Sequence, residues 1–292
     1  MRDLRDKVLF ITGGASGIGL GITQVFVDAG MRAVMADIRQ DHIDEALALF
    51  RSKGQGERVH AIRLDVTDRE AMARAADETE QRFGKVHVLF NNAGIDPSGP
   101  LKQASYADWD YAVAVNLGGV INGVQTFLPR ILRHGEGGHI FSTASLAGLI
   151  VMPAFMCMYY MTKAAVIALM ESIRTELVND GIGVSVLCPG PIKSRIHESG
   201  RNRPERFRGG SGFREAEAML ERRVVSELWM EPVEVGRLCL KAIQNNELYV
   251  ITHGEWREAF EQRVAAILAA MPTRVNPELI ASLRQPAHGH KD

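Results

Sequence analysis

The stretch T-G-G-A-S-G-I-G at residues 12–19 follows the short apolar run V-L-F-I at 8–11 and precedes a segment with helical periodicity. Glycines at 13, 17 and 19 permit a tight turn and let the backbone approach a bound pyrophosphate at the positive end of a helix dipole. A glycine trio alone is a weak signal, because ordinary turns also use glycine. The stretch therefore predicts a strand, a phosphate-binding turn and a helix, provided that the rest of the chain alternates in the same way.

The rest of the chain does alternate between short apolar runs and longer helical patterns. The runs that read as strands lie at 8–11, 32–35, 59–64, 86–90, 139–142, 184–187 and 248–251. Nearly continuous apolar strands are typical of a parallel sheet that is covered by helices on both faces. We therefore predict an α/β fold, a Rossmann-type doubly wound parallel sheet, in a single domain over 1–292 with a C-terminal helical extension at 254–292.

Two helices can be recognised from apolar residues at three- and four-residue spacing, and packing against the core is the interpretation that we favour for both. The first spans 113–131 and presents Val113, Leu117, Val120, Ile121, Val124, Leu128 and Ile131 on one face. The second spans 166–177 and presents Val166, Leu169, Met170, Ile173 and Leu177.

Composition excludes several classes of protein. The chain has 292 residues, 46% of them apolar, and a formal net charge of −1, which offers no basic field for nucleic acid. The three cysteines, at 157, 188 and 239, are too few and too scattered for a disulfide framework or a metal site. The N-terminus has no signal-peptide pattern and we find no apolar span of ~20 residues, so we expect a cytoplasmic protein that neither binds a metal nor enters a membrane.

Asp37 strengthens the interpretation of the glycine turn. It ends the second predicted strand in V-M-A-D, at about the ~20-residue offset where an acidic side chain hydrogen-bonds a ribose 2′-hydroxyl. A carboxylate there repels a 2′-phosphate, and the turn itself carries no Lys or Arg, so the sequence favours NAD over NADP. Arg39 is the nearby residue that would soften this preference.

The spacing of the turn, G-x-x-x-G-x-G, is followed along the chain by four further motifs: N-N-A-G at 91–94, Ser145, Y-x-x-x-K at 159–163 and P-G at 189–190. Together they resemble the short-chain dehydrogenase/reductase family, in the family's order, over about residues 5–255. The resemblance implies an NAD-dependent oxidoreductase that interconverts a secondary alcohol and a ketone. It also implies a homo-oligomer, a dimer or tetramer, whose partner molecule is a small alcohol or ketone.

Spacing separates the two adjacent tyrosines. Only Tyr159 stands four residues before Lys163, an offset that puts both side chains on one face of a helix, whereas Tyr160 lies about a hundred degrees around it. An ammonium near a phenol stabilises the phenolate, which is what a general acid/base requires. Tyr159 is therefore the catalytic candidate and Lys163 its activator, with a lowered Tyr159 pKa as the expected sign.

The resemblance adds two members to this pair and makes a tetrad. Ser145 in S-T-A-S-L-A-G corresponds to the hydroxyl that hydrogen-bonds the substrate oxygen, with Ser142 and Thr143 as nearby rivals. Asn116 corresponds to the residue that orders water for a proton relay, although a buried capping role would also explain an amide on an apolar helix face.

The resemblance also implies a set of residues around the cofactor. Asp65 and Val66 would lie at the adenine, the backbone of Ile192 at the carboxamide, and Ser194 would keep a threonine-like hydroxyl contact. The full predicted cofactor set is Gly13, Ser16, Gly17, Ile18, Gly19, Asp37, Asp65, Val66, Asn92, Ala93, Gly94, Tyr159, Lys163, Pro189, Gly190, Ile192 and Ser194.

Two segments bear on the substrate. M-P-A-F-M-C-M at 152–158 supplies Met152, Phe155, Met156 and Met158 for a soft apolar pocket, with core filling as the alternative for each. The segment 193–214 has no periodicity, and so long an irregular stretch is typical of a substrate lid. Its six arginines suit either recognition of a carboxylate or phenolate or a merely solvated loop.

Stretches such as V-N-L-G-G-V-I-N-G-V and L-Y-V-I-T-H-G-E-W-R-E resemble bacterial Cα-dehydrogenases, which oxidise the benzylic alcohol of lignin-type β-aryl ethers. An aryl or benzylic alcohol, such as a β-aryl ether Cα alcohol, is therefore the favoured substrate. A hydroxysteroid or another bulky secondary alcohol is the alternative within the same chemistry. A sensor or scaffold that binds NAD(H) without turnover is the alternative of another class.

Overall fold

The computed structural model describes residues 1–151, 155–222 and 224–284, and a seven-stranded sheet forms its centre. The strands are β1 Val8–Thr12, β2 Arg32–Asp37, β3 Val59–Arg63, β4 Val88–Asn91, β5 Gly138–Thr143, β6 Ile182–Cys188 and β7 Tyr249–Ile251. All neighbouring strands pair in parallel, in the order β3-β2-β1-β4-β5-β6-β7. The predicted fold class is confirmed, and each of the seven predicted strands overlaps an observed one.

Helices connect these strands. They are α1 Gly17–Asp28, α2 Gln40–Ser52, α3 Arg69–Phe83, α4 Tyr106–Val113, α5 Gly119–His134, α6 Cys157–Glu176, α7 Glu205–Arg208, α8 Arg214–Leu220, α9 Pro232–Asn245, α10 Arg257–Ala270 and α11 Pro277–Arg284. The chain forms two units, Met1–Gly254 and Glu255–Asp292, and the second unit contains α10 and α11.

The core consists of two layers of apolar side chains, one on each face of the sheet. Successive residues of β1 alternate between them, because side chains of a strand point to opposite faces: Leu9 and Ile11 belong to one cluster and Phe10 to the other. Phe10 stacks on Phe127 of α5 with ring centroids 4.3 Å apart. Each large side chain buried in this way stabilises the fold by roughly 1.5–3 kcal/mol, which explains why the strands are apolar throughout.

Strand order reverses between β1 and β4, and this reversal decides where a ligand can bind. The connection from β1 leads to β2 on one side, and β4 pairs with the other edge of β1, with Phe10 opposite Leu89. The two crossovers leave in opposite directions, so their loops part and open a crevice at the carboxyl ends of the strands. The glycine turn at 13–19 lies at this point.

The helix predicted at 113–131 contains a π-helical turn near its start, and this corrects part of its predicted core face. Residues Ala114–Gly118 form a π turn between α4 and α5, which rotates the residues on either side relative to one another. Val120 and Ile131 are buried as predicted, whereas Val113 is 39% exposed and Ile121 is 46% exposed. In the second predicted helix, now part of α6, Val166, Met170, Ile173 and Leu177 are buried.

The stretch Tyr106–His134 is long and apolar enough to meet a simple criterion for crossing a membrane, contrary to the sequence-based expectation. The reason is that α4, the π turn and α5 follow one another without a break. Half of its most apolar window is buried inside the protein, as in the core helix of many soluble proteins. No other helix of the described residues meets the criterion.

The segment predicted as an irregular lid contains short helices. A 3-10 helix covers Ile196–Asn202, α7 follows, and α8 begins at Arg214. Arg203 explains the order: it is 3% exposed, and its Nη2 lies 3.1 Å from Asp108 Oδ1 of α4 and also contacts Glu217 of α8. Its guanidinium carbon lies 4.5 Å from the centroid of the Tyr111 ring. Arg203 is therefore a buried anchor and not one of the solvated charges of a basic loop.

A buried histidine in β5 makes folding stability depend on pH. His139 is fully buried, and its Nε2 lies 2.8 Å from Ser185 Oγ. Burial lowers the pKa of His139 from its ordinary 6.5 to about 3. Below pH 6.5 the unfolded chain takes up a proton that the folded chain does not, so the free energy of unfolding falls as the pH decreases.

We expect this histidine to lower stability by on the order of several kcal/mol between pH 6.5 and pH 3. Urea unfolding of the wild type and of His139→Gln at pH 7.5 and 4.5 measures it. The free energy of unfolding should fall more on acidification for the wild type than for His139→Gln, because only the wild type has the buried histidine. The carboxylates that titrate in the same range are common to both proteins and cancel in the comparison. Equal losses would contradict the assignment.

Candidate active site

A cleft at the carboxyl ends of β1, β2, β4 and β5 collects most of the residues predicted for a dinucleotide. The predicted residues that line it are Gly13, Ser16, Gly17, Ile18, Asp37, Asp65, Val66, Asn92, Ala93, Gly94, Tyr159, Lys163, Pro189 and Ser194. The sheet brings them together because all its strands are parallel, so residues that follow different strands meet at the same edge.

Sequence reasoning missed other residues of the same cleft. Those from the strand ends and helices are Ile38, His42, Leu64, Ile95, Tyr111, Val115, Thr143 and Ala144, and those from the predicted lid are Arg195, Ile196, Ser199, Asn202 and Pro204. In the first group, Ile38, Ile95 and Thr143 directly follow a predicted residue or strand, which is the signal that would have found them. The second group places part of the segment 193–214 along the cleft.

The glycine turn is shaped for a ligand that touches the backbone. Gly13 and Gly17 have φ of +60° and +49°, a region that other residues rarely adopt. A Cβ atom at Gly19 would lie 1.9 Å from the carbonyl oxygen of Gly13, so only glycine lets α1 begin this close to the turn. The first turn of α1 has no acidic residue, which leaves its positive end available to a phosphate.

Asn92 lines the cleft, and its side chain also holds the glycine turn. Its Nδ2 donates to the carbonyl oxygens of Thr12 at 3.2 Å and Gly13 at 3.1 Å. In return, Thr12 Oγ1 accepts the N–H groups of Asn92 at 3.0 Å and Ala93 at 3.1 Å. These bonds fasten the end of β4 to the end of β1, so the two walls of the crevice keep a constant separation.

Asp37 ends β2 with its carboxylate inside the protein. The side chain accepts the N–H of Ala15 at 3.3 Å and that of Arg39 at 3.1 Å, and only 7% of the residue is exposed. Burial raises the pKa of Asp37, and these hydrogen bonds oppose the rise. The carboxylate thus faces the glycine turn, as expected of a residue that accepts ribose hydroxyls.

Tyr159 lies in the cleft and is buried, with 8% exposure. Burial raises the pKa of its phenol, the charge of Asp96 raises it further, and a hydrogen bond with Ser145 partly opposes the rise. The lowered pKa expected from Lys163 is therefore wrong for the protein chain by itself, because desolvation of the phenolate dominates. Ser145 is buried as well, and its Oγ accepts the N–H of Ala147 at 3.1 Å and donates to the Pro189 carbonyl at 3.5 Å.

Lys163 lines the cleft and is 3% exposed. The Nζ atom donates to the carbonyl oxygen of Thr143 at 2.9 Å and lies 5.6 Å from the centroid of the Tyr159 ring. Burial lowers the pKa of Lys163 to about 8. The four-residue spacing thus places lysine and tyrosine on one face, as predicted, and Tyr160 instead donates to Met156 Sδ at 3.7 Å.

Asn116 is fully buried in the π turn, and its amide joins two parts of the site. Its Oδ1 accepts the N–H of Ile95 at 2.9 Å, while its Nδ2 donates to the Ile95 carbonyl at 3.0 Å and to Thr162 Oγ1 at 3.2 Å. The structure therefore gives this amide a bracing role between the loop after β4 and α6. A role in ordering water stays a prediction.

The remaining residues predicted for the cofactor lie on the segment that follows β6. Gly190 donates its N–H to Thr252 Oγ1 at 2.9 Å, and the Ile192 side chain is buried in the core. Ile192 pairs with Met230 through the peptide groups of Pro191 and Lys193, so this bridge does not use its own N–H and C=O. Ser194 lies beside Gly17, because a Cβ atom added at Gly17 would be 3.0 Å from the Cβ atom of Ser194.

The predicted substrate pocket is only partly placed. Met152 lies outside the described residues. Phe155 is 60% exposed, whereas Met158 is 1% exposed and packs with Ala112 and Phe213. The prediction for Met158 is corrected to core packing, because α6 turns this side chain inward. Among the described residues there is no group of three or more His, Cys, Asp or Glu that could hold a metal ion.

Comparison with known proteins agrees with this geometry. The model of the short chain dehydrogenase family matches residues 7–205. The C alpha-dehydrogenase of Sphingobium sp. strain SYK-6 is 42% identical over 281 residues, which cover 95% of this chain and 91% of that protein. The chain therefore belongs to the short-chain dehydrogenase family, and it is an enzyme of the oxidoreductase class. The predicted resemblance to Cα-dehydrogenases is confirmed.

Solved structures show the same likeness. A short chain dehydrogenase/reductase from Burkholderia phymatum, in complex with NAD, is 34% identical with a TM-score of 0.85, and the alignment covers 94% of this chain and 99% of that one. The apo form of LigO from Sphingobium sp. strain SYK-6 is 39% identical with a TM-score of 0.77, over 97% and 96% of the two chains.

The close approach at Gly19 gives a prediction. Gly19→Ala should destabilise the fold by ~1–3 kcal/mol, the cost of forcing an extra methyl group into a packed site, and should weaken NADH binding by displacing the turn. Gly118→Ala is the matched control, because a Cβ there would meet the Val113 carbonyl oxygen at an ordinary 3.5 Å. Urea unfolding and NADH fluorescence measure the two effects; a Gly19→Ala protein as stable as the control would contradict the geometry.

Proposed function

We propose that the protein interconverts a secondary alcohol and a ketone by hydride transfer, with Tyr159 as general acid/base. The observation that carries the proposal is the buried Tyr159 phenol in a dinucleotide cleft, with Lys163 Nζ 5.6 Å from the centroid of its ring and the Ser145 hydroxyl among the groups that act on its pKa. A binding scaffold has no need of a proton-transferring pair at this point, so the alternative of a non-catalytic sensor is not favoured.

The cofactor is NAD, and the chain's own residues fit it. The glycine turn and the open N-terminus of α1 would hold the pyrophosphate, and Asp37 would accept the adenosine ribose hydroxyls. Lys163 would reach the nicotinamide ribose. When bound, NAD supplies the acceptor for the hydride from the alcohol carbon.

The protein's part in oxidation is to hold the alcohol and remove its proton. Ser145 donates to the substrate oxygen, and Tyr159 accepts the hydroxyl proton as the carbon loses its hydride. The phenolate is costly in this buried place, as the raised pKa of Tyr159 shows, so a nearby positive charge is needed in the reactive state. The Lys163 ammonium, with its pKa about 8, is largely protonated at neutral pH and supplies that charge.

A ketone is reduced by the same groups in reverse. Tyr159 then enters the reaction protonated, which its raised pKa favours, and donates its proton to the oxygen as the hydride arrives. Ser145 keeps the oxygen in place in both directions. The Lys163 bond to the Thr143 carbonyl positions the ammonium, because Thr143 ends β5 two residues before Ser145.

We propose an aryl or benzylic alcohol as substrate, such as the Cα alcohol of a lignin-type β-aryl ether. The support is the 42% identity, over nearly the whole chain, to a protein named C alpha-dehydrogenase. The cleft that contains Tyr159 also presents apolar and aromatic surface, from Ile95, Tyr111 and Val115.

We also propose that the enzyme is a homo-oligomer and that it is cytoplasmic. Val113 and Ile121 leave apolar surface on α4 and α5, which supports a homo-oligomer held by these helices. Cys157, Cys188 and Cys239 are free thiols, which suits the reducing cytoplasm. Light scattering of the purified protein tests the homo-oligomer, and a monomer at micromolar concentration would contradict it.

Replacement of the two tyrosines separates chemistry from packing. Tyr159→Phe should lower kcat by about 10²-fold or more, since general acid/base catalysis contributes ~10²–10⁴, and should leave the Kd of NADH within about twofold. Tyr160→Phe is the matched control and should lower kcat by less than about threefold, because its hydroxyl donates to the sulfur of Met156. Full activity of the Tyr159→Phe enzyme would refute the assignment of the proton-transferring group.

A substrate panel tests the alcohol class. The purified enzyme is followed at 340 nm, the absorbance of NADH, with NAD and a β-aryl ether model alcohol, simple benzylic alcohols, hydroxysteroids and aliphatic secondary alcohols. We expect the largest kcat/KM for the aryl ether. Faster oxidation of a hydroxysteroid would move the enzyme to the alternative substrate class, and turnover of none of the alcohols would contradict the proposed substrate.

A further inference from the structure

We propose that Glu198, together with Asp41, makes the enzyme reject NADP by holding the Arg39 guanidinium away from a 2′-phosphate. The inference deepens the proposed use of NAD and rests on it. It adds to Asp37 a second determinant of cofactor choice, and it places that determinant partly on the segment 193–214, far along the chain from the glycine turn.

The guanidinium of Arg39 is held on two sides. Its Nε donates to Asp41 Oδ1 at 2.9 Å and its Nη2 to the other carboxylate oxygen of Asp41. Its Nη1 donates to Glu198 Oε2 at 3.4 Å. Asp41 thus occupies one edge of the guanidinium bidentately, the geometry in which arginine also binds a phosphate, and Glu198 occupies the remaining Nη1.

Arg39 stands where a 2′-phosphate would need a cation. Its own N–H donates to Asp37 Oδ1 at 3.1 Å, so the side chain starts beside the carboxylate that faces the adenosine ribose. In dinucleotide folds of this kind an arginine near that position accommodates the 2′-phosphate. The chain therefore has the cation for NADP but keeps it paired with carboxylates.

Local charge reinforces the effect. Asp37, Asp41 and Glu198 contribute three negative charges against the one positive charge of Arg39, a net charge of −2 in front of an incoming phosphate. Arg201 Nη1 lies 4.0 Å from Glu198, but its Nε is paired with Glu221 at 3.1 Å. Arg195 is paired with Glu45 at 3.2 Å. Arg63, whose Nε donates to the Ile38 carbonyl at 3.4 Å, adds a positive charge at the edge of this group, which remains negative overall.

Burial makes the Glu198 pair more effective than an ordinary surface pair. The side chains of Arg39 and Glu198 are 23% and 18% exposed, whereas those of Glu205 and Arg208, a pair within the same segment at the same 3.4 Å, are 88% and 52% exposed. Water and salt screen the second pair much more strongly than the first. Glu205 is therefore the matched control for Glu198.

The experiment measures binding and not turnover. Isothermal titration with 2′-AMP and 5′-AMP, and fluorescence titration with NADPH and NADH, are carried out on the full-length wild type and on Glu198→Gln, Asp41→Asn, Arg39→Gln, Glu205→Gln and the double variant Glu198→Gln/Arg39→Gln. Loss of one ion pair of this size corresponds to a factor of about three to ten in Kd.

We expect Glu198→Gln and Asp41→Asn each to bind 2′-AMP and NADPH about three- to tenfold more tightly than the wild type, with the Kd of NADH and 5′-AMP unchanged. The gain should vanish in the double variant, because no guanidinium is left to release. Glu205→Gln should bind all four ligands as the wild type does.

Two results would overturn the proposal. Unchanged NADPH binding in both Glu198→Gln and Asp41→Asn, in proteins that still bind NADH, would show that Arg39 does not reach the phosphate. A gain in NADPH affinity that is as large in Glu198→Gln/Arg39→Gln as in Glu198→Gln would show that the Glu198 carboxylate acts only by repelling the 2′-phosphate. A wild type that binds neither NADH nor NADPH would instead contradict the proposed cofactor, so the two failures can be told apart.

Discussion

The buried amide of Asn116 is the constraint on which the rest of the site depends. An amide at zero exposure must satisfy its hydrogen bonds inside the protein, and it does so with both peptide groups of Ile95 and with Thr162. Leaving such a group without partners costs ~1–3 kcal/mol for each lost bond. The loop after β4 and the helix α6 are thereby held together at one point.

The catalytic candidates follow from that point. Thr162 also donates to the carbonyls of Met158 and Tyr159, so the helical turn that carries Tyr159 and Lys163 is fastened to the Asn116 amide. A Cβ at Gly94 would meet both Lys163 Nζ at 3.2 Å and Asn116 Oδ1 at 3.3 Å, which shows how closely the N-N-A-G loop lies on this assembly. The π turn at Ala114–Gly118 lets a polar residue face inward from an otherwise apolar helix.

The ionisable groups at the site differ in how deeply they are buried. Near the reacting groups, Tyr159 and Lys163 are buried, so burial raises the pKa of Tyr159 and lowers the pKa of Lys163, and each shift favours the neutral form of its group. At Asp65, by contrast, partly exposed acidic and basic residues pair, as Arg206 does with Asp65 at 3.0 Å. The first arrangement suits proton transfer, and the second suits recognition of a ligand that must also leave.

Much of this protein could be predicted from local patterns alone. The seven strands, the glycine turn, Asp37 at the end of β2 and the choice of Tyr159 over Tyr160 all depend on interactions within a few residues or on the period of a strand or helix, and these are written in the sequence directly. The parallel order then follows from the short connections that right-handed crossovers allow.

Only the tertiary structure decided what depends on residues far apart in the chain. It turned Met158 into the core, buried Arg203 against Asp108 and Glu217, exposed Val113 through the π turn, and reversed the expected direction of the Tyr159 pKa shift. The pairing of Arg39 with Glu198 joins positions 159 residues apart. Burial and long-range charge pairing are properties of the packed chain, so no local pattern of residues contains them, whereas a strand period or a helical offset is complete within a few residues.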